Sequence, residues 1–406
     1  MGSGAPVVAP GARPSGALAA SGVIAGPHPG VDELLTHARF VDHHVHGILR
    51  GSLTPERLVQ QLSESDRPAA AAIAGMDTQL GVAVRRWMAP LIGLEPGVPA
   101  AEWLAHRATL DNETLGATIL PEAGLDALLV DTGFQGTSLT SPAELGALAG
   151  VPGREVVRLE VVAEQVAAAA PTAAGFRQAL RDALAVATRD AVGVKSILAY
   201  RYGFDIDPAP PSDAEVAHAA GRWLRAIESG ERIRVADPVL LRLVLWSGVE
   251  LGLPLQLHTG YGDPDLDLHR ADPVLLTGFL RLTEGRCPVL LLHTYPYQRN
   301  AGYLAQMLPH VYLDVGLAVN HSGVASERII AETLEIAPFT KVLFSSDAWG
   351  LPELHLLGSW LVRRGLSRIL GRWVADGDWT LADAARTIDL LAGENARRVY
   401  TRLATG

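Results

Sequence analysis

The sequence predicts an α/β protein built as a (β/α)8 TIM barrel, with a helical insertion after the first strand and a flexible N-terminal arm. Three observations lead there. Eight short apolar runs of strand length recur along the chain. Most gaps between them carry helical patterning, as at Ala173–Thr188 and Asp213–Ser229, and strands alternating with helices make a parallel sheet with crossover helices. Polar residues stand where several runs end, and a barrel does its chemistry at the carboxyl ends of its strands.

Residues 1–30 are rich in Ala, Gly and Pro, with Arg13 as the one basic residue. A secretory signal would pair a basic start with a compact apolar run, so this stretch reads as a flexible arm. The barrel domain is expected over 31–406, opening with a short helix at 32–38 and a first strand at 39–46. Residues 51–118 carry helical patterning and no clear strand, and read as an insertion over the mouth of the barrel. Its first helix is signalled by Thr54 as cap and Pro55 in the first turn. The remaining strands are expected at Ala127–Asp131, Val156–Val162, Val192–Leu198, Leu253–His258, Val289–His293, Val311–Val315 and Val342–Ser346. Leu381–Leu403 reads as closing helices.

Composition narrows the function classes. With 406 residues, 48% hydrophobic, the chain can bury a large core. A net charge of -10 without basic runs argues against nucleic acid and anionic membranes as partners. The single cysteine, Cys287, allows no internal disulfide and reads as a buried structural thiol, in keeping with a cytoplasmic location. No apolar run is long enough to span a bilayer. The expected partner is a small-molecule substrate, and barrels of this size commonly form homo-oligomers.

The chemistry starts at Asp42-His43-His44-Val45-His46. Strand alternation puts His44 and His46 on one face and turns His43 away. Two imidazoles at a strand end can hold one metal ion. Later strands supply further groups: Lys195 within strand four, His258 and His293 ending strands five and six, and Asp347 ending strand eight. Each alone is a weak signal. A strand-end histidine can be structural, Lys195 can be a Schiff-base lysine, an ion-pair partner or a snorkelling side chain, and Asp347 can be a helix N-cap. Together they form an ordered set at one end of one barrel. Histidines and an aspartate suit one or two divalent ions, zinc above all. A carbamylated Lys195 would be an anion able to bridge two of them. Such ions bring water toward ionisation near neutral pH, and Asp347 would be the catalytic residue that moves its proton.

These motifs, with Gly193-Val194-Lys195-Ser196, Gln256-Leu257-His258-Thr259-Gly260-Tyr261-Gly262-Asp263, Leu292-His293-Thr294-Tyr295-Pro296-Tyr297, Ser345-Ser346-Asp347-Ala348 and the closing Gly393-Glu394-Asn395-Ala396-Arg397-Arg398-Val399-Tyr400, resemble the amidohydrolase superfamily, in its amidohydrolase-2 branch of metal-dependent hydrolases. More narrowly, Lys195-Ser196-Ile197-Leu198-Ala199-Tyr200-Arg201 and the Gly-Tyr-Gly-Asp and Tyr-Pro-Tyr segments resemble the amidohydrolase half of FluG-type proteins, where such a domain is fused to one like glutamine synthetase. The resemblance covers about residues 32–402, and this chain ends after the barrel. It implies a metal-dependent amidohydrolase with His44, His46, Lys195, His258, His293 and Asp347 as metal ligands, Lys195 carbamylated between two ions. The expected reaction is hydrolysis of a C–N bond, an amide or cyclic amide, by metal-activated hydroxide. The alternatives are a single-metal non-oxidative decarboxylase or other lyase, and a noncatalytic binding barrel.

Loops after the strands would line the binding mouth. Arg201 could clamp a substrate carboxylate, or pair with Asp205 or Asp207. Tyr261, Asp263, Tyr295, Trp349 and His321 are the other candidate substrate contacts. Glu160 reads as a charged residue within strand three that could orient a ligand or form a buried ion pair, and Arg85, Arg86 and Trp87 as a cap or a solvated helix face.

Overall fold

The computed structural model describes residues 16–65, 67 and 75–405. Seven strands form one parallel sheet in sequential order: β1 (Phe40–Val45), β2 (Leu125–Asp131), β3 (Gly153–Arg158), β4 (Gly193–Ser196), β5 (Leu255–His258), β6 (Val289–Leu292) and β7 (Val311–Leu313). The sheet curls. On its inner face Val41, Ala127, Leu129, Val156, Leu290 and Leu292 pack with Leu343 and Tyr400. The alternate residues, such as Phe40, Leu128, Val130, Leu255, Leu257, Val289 and Leu291, face the outer helices. Period-two alternation therefore leaves one face of each strand for the interior and one for the helical layer.

Residues 342–350 run between the two edges of the sheet. Leu343 N donates to Leu313 O at 3.0 Å, and His43 N to Phe344 O at 3.1 Å. Single parallel bridges join Leu313 to Val342 and Ile48 to Gly350. The expected eighth strand thus lies in its place but forms no continuous ladder. Side chains hold other polar groups of the segment: Val342 O accepts from Asn395 Nδ2 at 2.7 Å, and Ser346 N and Oγ donate to Asp42 at 3.0 and 2.6 Å.

Between β1 and β2 the described residues contain helices and no named strand, including Pro55–Gln60, Gln79–Ala83, Ala100–Arg107 and Asn112–Ile119. Thr54 caps the first of these through Oγ1, as its sequence signals. Arg85 bonds the carbonyls of Gly81 and Val98 within this region. Within the stretch read as an arm, Gly16–Ser21 is a helix, and Leu18 and Val23 are buried in the main core; residues 1–15 lie outside the described residues. No helix among the described residues is long and apolar enough to cross a membrane.

Strand three is shorter than expected. It ends at Arg158, and Glu160 lies in the first turn of helix Leu159–Ala168. There its Oε1 accepts from Ser196 Oγ at 2.6 Å and Ile197 N at 3.0 Å, so it ties β4 to the start of this helix.

Candidate metal centre

The β1–β2 ladder slips between Asp42 and Val45, the mark of a bulge, which re-aims side chains locally. Val41 consequently packs in the inner cluster and Val45 in the outer one. Simple alternation therefore misplaces His43. It is buried one layer below the centre, bonded to Tyr400 Oη at 3.0 Å through Nδ1 and to Asp314 Oδ2 at 2.9 Å through Nε2. It is a support, as its type at that position suggested, but it faces inward.

His44 and His46 are fixed by acceptors. His44 Nδ1 lies 2.8 Å from Gln256 Oε1, and Gln256 Nε2 donates to His43 O at 2.7 Å and Tyr400 Oη at 2.9 Å. His46 Nδ1 lies 3.0 Å from the carbonyl of Asp131. Carbonyl oxygens only accept, so both Nδ1 atoms carry the proton and both Nε2 atoms present lone pairs. Those Nε2 atoms lie 3.0 and 3.5 Å from Asp347 Oδ1. The three ligand atoms fall within 4.8 Å of one another. Asp347 is no helix cap, since the following helix, Pro352–Ala375, starts five residues later. Its N–H donates to His44 O at 3.1 Å, and this turn seats it at the opening of β1.

The other expected ligands surround this group. Lys195 Nζ is 2.9 Å from His44 Nε2 and 3.9 Å from Asp131 Oδ2, at only 2% exposure, so it does not snorkel. His293 Nε2 is 3.4 Å from Asp347 Oδ2. The His258 and His293 rings lie 4.7 Å apart, and His258 Nδ1 is 3.3 Å from Tyr200 Oη. Five non-glycine residues among those described have positive φ, and three are His293, Thr294 and Asp347. Backbone strain of this kind collects where a side chain must be aimed.

Burial sets the charges. It pushes His44 down to about 3, helped by the neighbouring Lys195 and opposed by Asp347. It also lowers His258, where His293 and Lys195 add to the effect, and lowers His293 and Lys195. Burial acts to raise Asp347, but His293, His44 and His46 outweigh it and hold the carboxyl well below its usual range. The outcome is that the charged forms of the His44, His258 and His293 rings are disfavoured beside the Asp347 carboxylate. His258 Nε2, His293 Nδ1 and Nε2, and Asp347 Oδ1 are buried without a hydrogen-bond partner among the described residues. Such orphaned polar atoms are costly in a dry interior, and neutral imidazole with carboxylate is the donor set of a divalent ion such as zinc. The residues present fit a metal.

The expected substrate contacts divide. Trp349 meets Phe134 edge-on at 4.9 Å, and Phe134 packs on His46 at 5.2 Å. Tyr261 meets His321 at 5.6 Å, and His321 pairs with Glu64 at 3.2 Å. Tyr295 O accepts from Tyr261 N, joining two of the loops, while Asp263 Oδ1 accepts from Asp265 N. Arg201 pairs with Glu164 at 3.1 Å, and its two expected partners, Asp205 and Asp207, pair with Arg270 and Arg242. Asp131, Arg158, Tyr200 and the orienting role of Gln256 were missed. Asp131 and Arg158 end β2 and β3, so the rule that exposed the other strand-end groups would have found them.

A curled parallel sheet with metal-type side chains at its strand ends is the architecture of a metal-dependent α/β enzyme. The chain belongs to the amidohydrolase family, whose model matches residues 136–402. It is 33% identical over 226 residues to Protein fluG of Emericella nidulans, covering 53% of this chain and 26% of that protein, so it spans about a quarter of that relative. Among solved structures it is similar to a provisionally assigned metal-dependent hydrolase from Lactobacillus casei, with a TM-score of 0.80 and 27% identity over 92% of this chain and 97% of that one. It shares its fold with the uronate isomerase of Bacillus halodurans, with a TM-score of 0.61 and 14% identity over 93% of this chain and 97% of that one.

Proposed function

We propose that this protein hydrolyses a C–N bond, an amide or cyclic amide, in a small polar substrate, using a divalent metal, with zinc favoured by the donor set. We read residues 342–346 as the eighth position of a complete (β/α)8 barrel and 51–118 as an insertion over its mouth. The observation that carries the reading is the convergence of two tautomer-fixed Nε2 lone pairs on Asp347 Oδ1. His44, His46 and Asp347 would hold one ion. His258, His293 and carbamylated Lys195 would complete the centre as a second position, supported by the orphaned nitrogens of the two histidines. Bound there, a divalent ion acidifies water and polarises the scissile carbonyl.

The chain's own residues do the rest. Asp347, ionised across the working pH range, accepts a proton at a carboxylate oxygen and returns it to the leaving nitrogen. Tyr200 and Gly262 shape the side of the site next to His258: a Cβ on Gly262 would lie 2.1 Å from Tyr200 Oη and 2.8 Å from His258 Nε2. Phe134 and Trp349 make an apolar wall beside His46, while Tyr261, Asp263, Tyr295 and His321 line the opposite loops. A cytoplasmic location and partners limited to small molecules complete the reading.

A second reading is a single-metal decarboxylase or lyase. It is favoured by the fact that, among the described residues, only His44, His46 and Asp347 meet within 4.8 Å as a ligand group. Metal per chain by elemental analysis, with ammonia or amine release against carbon dioxide release over a panel of amides and carboxylic acids, separates the two. Two ions and C–N cleavage uphold the first reading. One ion with carbon dioxide release overturns it.

A further inference from the structure

We propose that Arg158 anchors a carboxylate-type oxyanion beside the histidine cluster. Arg158 ends β3 and stands in ladder register with Lys195 on β4. Its guanidinium is anchored along one edge only. Nε and Nη2 donate to the same oxygen, Asp131 Oδ2, at 3.1 and 2.6 Å. The other oxygen, Oδ1, accepts from Gly133 N at 2.9 Å, which fixes the aspartate from behind. A guanidinium has five N–H donors, so Nη1 and one hydrogen of Nη2 have no protein acceptor among the described residues. The side chain is 10% exposed, so it is not sealed off from solvent.

The surroundings are built to hold it still. The stem lies against Gly133, where an added Cβ would sit 2.3 Å from Arg158 Cβ. The guanidinium carbon lies 5.8 Å from the centre of the Phe134 ring, which itself packs on His46. A fixed, planar fork with spare parallel N–H groups, beside an aromatic face, matches a planar carboxylate. The nearby carboxylates do not fill it: Asp131 Oδ2 sits on the other edge, and Glu160 has Oε1 taken by Ser196 and Ile197 while its Oε2 has no hydrogen-bond partner among the described residues. Arg201, the arginine singled out from sequence, instead pairs with Glu164.

Two sources offer this chemistry. One is a carboxylate on the substrate, which would make the substrate an anionic amide. The other is a carbamate on Lys195. There the neutral Nζ attacks carbon dioxide, an N–C bond forms, one C=O electron pair moves to oxygen, and the nitrogen loses one proton to solvent.

The inference rests on the metal-centre reading, so the test is run on the full chain with and without zinc. Succinate binding is measured by calorimetry, and carbamate by 13C NMR after equilibration with 13C-bicarbonate. The variants are Arg158→Lys, which keeps charge and loses the fork, and the double variant Asp131→Asn/Arg158→Gln, which removes both charges of the pair together. Succinate affinity falling at least tenfold in both, and persisting in Lys195→Met, supports the substrate source. A carbamate signal present in the wild type, absent in Lys195→Met and lost in both Arg158 variants supports the lysine source. Folded variants that keep both succinate affinity and carbamate overturn the proposal and leave Arg158 as the counter-ion of Asp131. Wild-type protein showing neither succinate binding nor carbamate overturns it too. Wild-type protein that binds no zinc defeats the metal reading alone, because the succinate arm without zinc still reports on Arg158.

Discussion

The two sides of the centre are built differently. On the β1 side, His44 and His46 each have Nδ1 held by a carbonyl-type oxygen, and Gln256 is held in turn by His43 O and Tyr400. On the β5–β6 side, His258 has one long contact to Tyr200 at 3.3 Å, and both nitrogens of His293 lack a hydrogen bond among the described residues. One side is oriented by hydrogen bonds before anything binds. The other is positioned by packing and by strained backbone at residues 293 and 294, with its lone pairs left for a ligand to satisfy.

Three substitutions probe that contrast. Asp347→Asn removes the charge on which the ordered side converges. Metal content measured on the purified protein should collapse, and turnover should fall by roughly a thousandfold, the scale of losing a charge-stabilising centre. Full metal content in this variant would break the assignment of the ordered side. Gln256→Leu leaves every ligand in place but frees the His44 ring. Metal affinity by competition with a chelator should weaken by about 10- to 100-fold, as when an orienting partner is lost. Tyr200→Phe makes the corresponding change on the other side and should cost less than about tenfold, the scale of one neutral hydrogen bond. Equal losses in these two variants would erase the distinction between the sides.

The smallest effect concerns pH. His355 is buried near the ordered side, with neither ring nitrogen bonded among the described residues, and burial pushes it down to about 3 with help from His46. Between its ordinary value near 6.5 and about 3, the unfolded chain binds a proton here and the folded chain does not. Stability is therefore lost as pH falls through that window. His355→Leu should move the midpoint of acid unfolding, followed by circular dichroism in the metal-free protein, downward by about half a pH unit. An unchanged midpoint would show that His355 does not contribute.

The parts of this architecture that follow from strand periodicity were legible in the chain. Seven strands lie where apolar runs predict them, and Lys195, within one such run, meets His258, His293 and Asp347, which stand where runs end. The failures have physical causes. A bulge after Asp42 breaks the alternation that placed His43. Arg158 stops β3 before Glu160 because the helix starts at Leu159, and apolar residues continue across the junction. The partners of Arg201, Gln256 and Tyr400 lie far away in sequence, on neighbouring elements, where local pattern carries no information.

Tyr400 gives the centre a timetable. Its hydroxyl holds His43, 357 residues earlier in the chain, and also Gln256, which sets the His44 ring. Synthesis runs from the N-terminus and early segments fold first, so β1 can be in place long before the hydroxyl that organises it exists. A nascent or nicked chain lacking this residue would carry every ligand, with Gln256, which sets the His44 ring, held by His43 O alone. The supports of the first strand's histidines are thus completed by a residue from the far end of the chain.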